Sequence, residues 1–302
     1  TKTNRLMASK KFTLILGLLV MTIATQAQVA EWKDSSLIPP SRLAQHNEFV
    51  NNQYIFPAKP RSQWEVGVKL GAPSISGDVQ SSNPNFGLGL HVRKALGYLV
   101  SIRGEFFTGS TKGVGSKENF NYKNNPAWAN NGYNSNADKV FYNYKTKLND
   151  LSVQMLFNLT NIRFHRAEPK FSLYAIAGAG VTFYDANIDA LNAGGAKYNF
   201  NSIAGNLSKS ETVSAVKALL DGSYETAGEG GKASVVSATF GLGAAFKISK
   251  RVNVAIENRF TLVDNDLLDG QKWGPFPAGN PSLSSNNDSY NFLSVGLNIN
   301  IL

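Results

Sequence analysis

The chain contains no cysteine. That excludes a disulfide framework, a thiolate metal site, a thiol nucleophile and the lipid-bearing cysteine of a lipoprotein. Histidine is scarce as well. His46, His91 and His165 are too scattered for any familiar metal-ligand spacing. Charged residues make up only 17% of the sequence, and the first 27 residues hold no acid. The formal charge of +9 is therefore unevenly placed. Lys2, Arg5, Lys10 and Lys11 fall in the acid-free stretch, leaving about +5 for the remainder, a mild bias. No compact Lys/Arg block with interleaved aromatics occurs, so no nucleic-acid partner is expected. Nucleophile elbows, P-loops and zinc motifs are also missing. Asp264, Asp266 and Asp269 share a loop but lack EF-hand spacing. The chain is accordingly read as a non-enzyme, with no catalytic residue, no cofactor and no metal.

Long apolar runs are absent beyond the N-terminus, so no transmembrane helix is expected there. The N-terminal segment reads as a secretory signal. Lys10 and Lys11 precede an apolar stretch from Phe12 to Ala24, and Thr25-Gln26-Ala27 offers small residues for cleavage before Gln28. Residues 1–27 are assigned to this signal, with residues 1–6 as upstream sequence. Residues 28–62 form an N-terminal periplasmic extension rich in proline, with a short helix near Ser41–Val50. Residues 63–302 are assigned to one β-domain.

That domain shows period-2 alternation, the mark of strands with two unlike faces. Eight runs are placed: Gln63–Leu70, Asn85–Lys94, Gly97–Gly109, Phe141–Leu159, Lys170–Asp185, Ala233–Ile248, Arg251–Val263 and Tyr290–Ile301. Long connections join strands 1–2, 3–4, 5–6 and 7–8, and short ones join the rest. Such sorting fits an all-β, eight-stranded antiparallel up-and-down transmembrane β-barrel with short periplasmic turns and long extracellular loops. The Asn-dense stretch Glu118–Asp138 lacks a core-forming pattern and is expected to be mobile. Ser208 and Glu211 have capping-box spacing, with Val213, Val216 and Leu220 as an apolar stripe and Gly222 as a stop. That helix is expected to pack on the barrel mouth.

One face of each strand is bulky and apolar, while the other mixes glycine with polar residues. Leu151, Val153, Met155 and Phe157 oppose Asp150, Ser152, Gln154 and Asn158. The apolar face suits lipid, and the mixed face suits a lumen only wide enough for side chains. The mixed faces carry Glu65, Lys69, Arg93, Arg103, Glu105, Asp150, Glu257 and Arg259. Four acids against four bases predict a paired network across the lumen, because an uncompensated buried charge costs several kcal/mol. A gate or proton path is the sharper reading of that network, and a structural polar core is the favoured one. Aromatics such as Trp64, Tyr98 and Tyr184 near strand ends fit interfacial girdles.

The stretch Asn51–Arg61 leading into Trp64-Glu65-Val66-Gly67-Val68, together with Ser289–Leu297, resembles the OmpA-type outer-membrane β-barrels of the Bacteroidota. The resemblance implies a place in the bacterial outer membrane, with lipid and lipopolysaccharide as partners. It also implies peptidoglycan as a partner, through a C-terminal domain that this chain does not contain. Three roles stay open: a structural envelope anchor, a small-solute or ion pore, and an adhesion or ligand-binding barrel acting through its loops.

Overall fold

The computed structural model describes residues 35, 38–55, 58, 64–97, 99–160, 170–249, 251–272, 274 and 287–301. The proposed signal segment, Tyr98, His165 and the stretch Pro60–Gln63 lie outside them. Ahead of the sheet, Pro40–Arg42 makes a 3₁₀ turn leading into helix α1, Leu43–Val50.

Eight strands follow: β1 Trp64–Ser76, β2 Ser81–Ala95, β3 Val100–Asn119, β4 Val140–Asn158, β5 Phe171–Ile188, β6 Thr226–Lys247, β7 Val252–Val263 and β8 Ser289–Ile301. Each pairs antiparallel with its sequence neighbour, and β1 closes the ring on β8 from Trp64↔Ile301 to Ser76↔Ser289. Closure leaves no unpaired edge, the requirement for strands that cross hydrocarbon. Among the described residues no helix is long and apolar enough to cross a membrane.

The sequence alternation translates directly into two surfaces. Val68, Leu70, Phe106, Leu151, Val153, Phe240, Leu242, Ile256, Leu293 and Val295 point outward and are exposed. Water would not tolerate a continuous ring of such side chains on a soluble protein, whereas lipid requires it. Inward positions carry the polar and small residues.

One expected connection differs. The β1–β2 link is not long: β1 runs on to Ser76 and β2 begins at Ser81, leaving only residues 77–80 between them. The remaining links keep the sorting, with 120–139, 189–225 and 264–288 at one end and 96–99, 159–170 and 248–251 at the other. Several strands also extend further toward the long-loop end than their alternation suggests. Lys112 to Asn119 of β3 pairs with Val140 to Lys145 of β4, although both faces there are polar or covered. Above the belt the outer face meets water and the inner face meets loops, so the two-faced signal fades.

The long loops build a second core over that end. Helix α2, Pro126–Ala129, starts where the Asn125 side chain accepts from the Ala127 N–H. It buries Trp128 completely against Tyr133, Tyr142 and Phe200. The Asn-dense stretch is thus packed, which overturns the expectation of mobility there. Helix α3, Lys209–Leu219, carries the capping box of Ser208 and Glu211, and buries Val216 in this same core. Tyr122 and Tyr133 complete it, with their hydroxyls donating to the carbonyls of Asp138 and Ala190.

Val153 is 63% exposed in the middle of the outer belt. Val153→Arg is expected to destabilise the barrel refolded in phospholipid vesicles by about 2–4 kcal/mol. Lys147→Arg, on the exposed rim, is expected to leave it unchanged. Urea titration of the two variants measures the difference, and equal stabilities would place the belt in water.

Candidate functional site

Eight strands enclose a lumen that side chains alone can fill. The inward register positions decide what fills it. Near the short-turn end, Glu65 on β1 accepts from Arg93 on β2 at 2.8 Å and from Asn253 on β7 at 3.0 Å. His91 Nε2 stands 3.8 Å from Glu65 Oε1.

The next layer is the centre of the barrel. Lys69 Nζ lies 2.5 Å from both Glu105 Oε2 and Glu257 Oε2, joining β1 to β3 and β7. Arg103 forks onto Glu257, with Nη1 at 2.7 Å from Oε1 and Nη2 at 3.1 Å from Oε2. Its Nε and Nη2 also donate to Gln154 Oε1 on β4, at 2.9 and 2.5 Å. Tyr174 on β5 donates its hydroxyl to Glu257 Oε1 at 2.5 Å.

Toward the long-loop end, Arg259 Nη1 donates to Glu105 Oε1 at 2.8 Å and lies 3.4 Å from Asp150 Oδ1. Asp150 Oδ2 accepts from Thr182 and Ser237, on β5 and β6. Nε and Nη2 of Arg259 have no hydrogen-bond partner among the described residues. The guanidinium instead sits 5.1 Å from the Phe107 ring centroid and 5.7 Å from that of Phe292. A desolvated cation over aromatic faces gains about 2 kcal/mol or more. Phe107, Phe292 and Tyr290 then close the lumen as an aromatic layer, Phe107 and Phe292 meeting at 4.5 Å.

The eight charged residues named from the sequence therefore all point into the lumen, and each contacts an opposite charge. Arg93 alone keeps appreciable exposure, 26% of its side chain, at the end of the barrel. Gln154, Tyr174, Thr182, Ser237 and Asn253 complete the set. Gln154 shares strand parity with Asp150, a visible signal. Tyr174 sits in a run of small apolar residues and carries no such signal. Both carboxylate oxygens of Glu105, Glu257 and Asp150 are already engaged, so the geometry suits mutual neutralisation.

The loops hold other acidic groups. Carboxylate oxygens of Asp189, Asp221 and Glu225 lie within 4.8 Å of one another. Each is occupied by the chain itself: Asp189 accepts from Tyr198 Oη and the Gly222 N–H, and Glu225 from the Ala190 and Leu191 N–H groups. Asp221 accepts from the Ser223 N–H. Burial pushes the Asp189 carboxyl above its usual range. Of the acids noted in the sequence, Asp264 accepts from Asn287 on the exposed rim, whereas Asp269 is buried.

No protein-family model matches the chain. No curated protein matches it either. Solved structures that resemble it include the attachment invasion locus protein Ail of Yersinia pestis, in complex with the heparin analogue sucrose octasulfate, at 10% identity and a TM-score of 0.39, covering 80% of this chain and 99% of Ail. The N-terminal β-barrel domain of Pseudomonas aeruginosa OprF aligns at 9% identity and a TM-score of 0.33, covering 80% and 100%. The outer-membrane enzyme PagL aligns at 10% identity and a TM-score of 0.30, covering 78% and 98%. Strand count and closure rest on the chain's own pairing register, not on these likenesses.

Glu257 accepts from Lys69, Arg103 and Tyr174. Glu257→Ala leaves the buried Lys69 and Arg103 with Glu105 as their one shared carboxylate and is expected to destabilise the barrel by about 3–5 kcal/mol. Asn158→Ala, at a strand end, serves as the small-effect comparison. Equilibrium unfolding in detergent measures both, and a loss at Glu257 no larger than at Asn158 would mean that water reaches the network.

Proposed function

We propose that this chain is a bacterial outer-membrane barrel acting as a structural anchor of the envelope, closed to solutes and without enzymatic activity. One observation carries the reading: the charged side chains across the middle of the lumen are almost wholly buried and paired with one another. The layer of Lys69, Arg103, Glu105 and Glu257 is at most 4% exposed at its side chains. The aromatic layer of Phe107, Tyr290 and Phe292 lies above it, and the loop core above that. An ion would have to displace paired charges and stacked rings in succession.

The outward belt supports a membrane setting, and the N-terminal sequence signal supports export. On this reading the short turns face the periplasm and the long loops face outward. The rim at the long-loop end supports lipopolysaccharide as a neighbour. Lys112 and Lys145 face each other across β3 and β4, Lys147 stands opposite Ser110, and Lys232 opposite Asp185. Four cations against one acid, directly above an apolar belt, suit phosphorylated amphiphiles. The likeness to OmpA-type barrels supports the anchoring role. That likeness also implies peptidoglycan as a partner.

Reconstituted in planar bilayers, the protein is expected to show no stable conductance. The double variant Phe107→Ala, Phe292→Ala, which removes the aromatic layer, is expected to admit small intermittent currents while the ion-pair layer persists. A large, steady current through the wild-type chain would refute the anchor reading and favour the pore.

A further inference from the structure

Outside the lumen, a cleft of about 400 Å³ opens at the long-loop end, where helix α3 packs on β3. Its floor is apolar, formed by the buried Val114 of β3 and by Leu220 just past the helix. Two cations stand in its walls: Lys112 of β3 and Lys217 in the last turn of α3. Among the described residues neither is ion-paired. Lys112 Nζ instead lies 5.4 Å from the centroid of the Tyr224 ring, which lines the same cleft. Asp221 is the one acid in the lining.

Tyr224 has a φ of 53°, in the left-handed region that a bulky side chain rarely adopts. Its neighbours show how it is held there. The Asp221 N–H donates to Tyr198 Oη at 3.0 Å, and the Gly222 N–H donates to Asp189 Oδ2 at 2.7 Å. Both acceptors belong to buried residues. On the other side of the cleft wall, Ser223 Oγ donates to Glu225 Oε2 at 2.7 Å, and Glu225 Oε1 accepts from the Ala190 and Leu191 N–H groups. The acids that occupy one another's surroundings in this loop thus act as a brace. The chain is pinned before and after Tyr224, which keeps its ring beside Lys112. Backbone strain over-determined in this way clusters at ligand sites. A wall fixed in advance also lowers the ordering cost of binding.

We propose that this cleft binds a phosphorylated sugar, its phosphate held by Lys112 and Lys217 and its ring set against Tyr224, Val114 and Leu220. Each part of the lining matches one part of such a ligand. Two unpaired ammoniums offer charge-assisted hydrogen bonds to phosphate oxygens. The apolar floor and the aromatic ring suit the C–H face of a pyranose. Asp221 disfavours a bare anion, while its carboxylate accepts from sugar hydroxyls. The volume falls in the range of small-ligand sites. The inference rests on the reading of the basic rim as a place for phosphorylated amphiphiles, and deepens it by naming the group recognised and the cleft that takes it. A lipopolysaccharide headgroup and a soluble sugar phosphate share that chemistry.

The test uses the full chain refolded in zwitterionic detergent free of lipopolysaccharide and titrated calorimetrically with glucose 6-phosphate, glucose and inorganic phosphate. One equivalent of glucose 6-phosphate is expected to bind, about tenfold or more tightly than either of the others. Lys112→Gln and Lys217→Gln, both at exposed positions, are each expected to weaken it by about tenfold. Lys147→Gln removes the same charge from the rim outside the cleft and is expected to leave binding unchanged. Tyr224→Gly, which takes away the ring and the strain together, is expected to weaken binding several-fold. Wild-type protein that takes up no glucose 6-phosphate, or binds inorganic phosphate as tightly, would overturn the site. Equal losses in Lys147→Gln and Lys112→Gln would reduce the effect to diffuse attraction by the rim and overturn it as well. A second titration adds purified lipopolysaccharide to the loaded protein. Displacement of the sugar phosphate assigns the cleft to the lipid headgroup. Binding without displacement upholds the cleft as a site for a soluble sugar phosphate and sinks only the lipopolysaccharide reading of the rim.

Discussion

Lys69 meets Glu105 and Glu257 in the middle of the lumen, and the inside of the barrel is arranged around that contact. A lysine in this position has exchanged water for two carboxylates, each two strands away from its own on either side of the ring. Desolvation of each ion costs several kcal/mol, which the pairing recovers only with good geometry and full hydrogen bonding. Two carboxylates around one ammonium leave a negative excess, and Arg103 and Arg259 supply the remaining charge. Gln154 and Tyr174 then satisfy what the charged groups leave over. Removing any one member therefore unbalances several others. The network also fixes register, because each partner sits at a defined height on a different strand.

A change of material occurs along the barrel axis. Ions fill the lower and central lumen, an aromatic layer follows, and tyrosines and loop side chains occupy the wide end. Arg259 marks the transition, since one edge reaches Glu105 while its plane meets Phe107 and Phe292. A cation that pairs with carboxylates on one side and with rings on the other lets polar and apolar layers abut without an orphan charge. Beyond the rings, Trp128, Tyr122 and Phe200 form a core that resembles a soluble protein's interior. The molecule thus has one core organised by charge inside the strands and another organised by apolar burial among the loops.

These two cores were unequally legible in the sequence. Strands that separate lipid from lumen carry two contrasting faces, so alternation revealed their number, and the parity of Glu257 with Arg259 or of Arg103 with Glu105 revealed the interior. The contrast disappears above the membrane belt. There β3 continues through Lys112–Asn119, beyond the Gly109 end that its alternation suggests, and no period betrays it. Loop packing was less visible still. Trp128 and Tyr133 stand in an asparagine-rich stretch whose composition suggests solvent exposure, yet side-chain amides there serve the backbone. Asn125 caps α2, and Asn143 exchanges hydrogen bonds with Asp189 across two segments. Non-local partners of that kind leave no periodic trace.

Glycine links the narrow lumen to the large side chains within it. Tyr174 lies directly opposite Gly243, and a Cβ on that glycine would stand 2.3 Å from the Tyr174 ring. Tyr144 lies opposite Gly113 in the same way, with 2.2 Å to the ring. Each ring occupies the space that a side chain on the facing glycine would fill. This arrangement leaves room for Glu257 beside Tyr174, whose hydroxyl reaches it. Glycine on one strand and tyrosine on the next are therefore a single structural device, recognisable only once register is known. Polar faces rich in glycine identify the inside of the barrel, and their cross-strand partners determine whether that inside stays open. Here bulky rings and paired ions occupy the vacated space, so the same glycines that permit a narrow barrel also make room for the large side chains inside it.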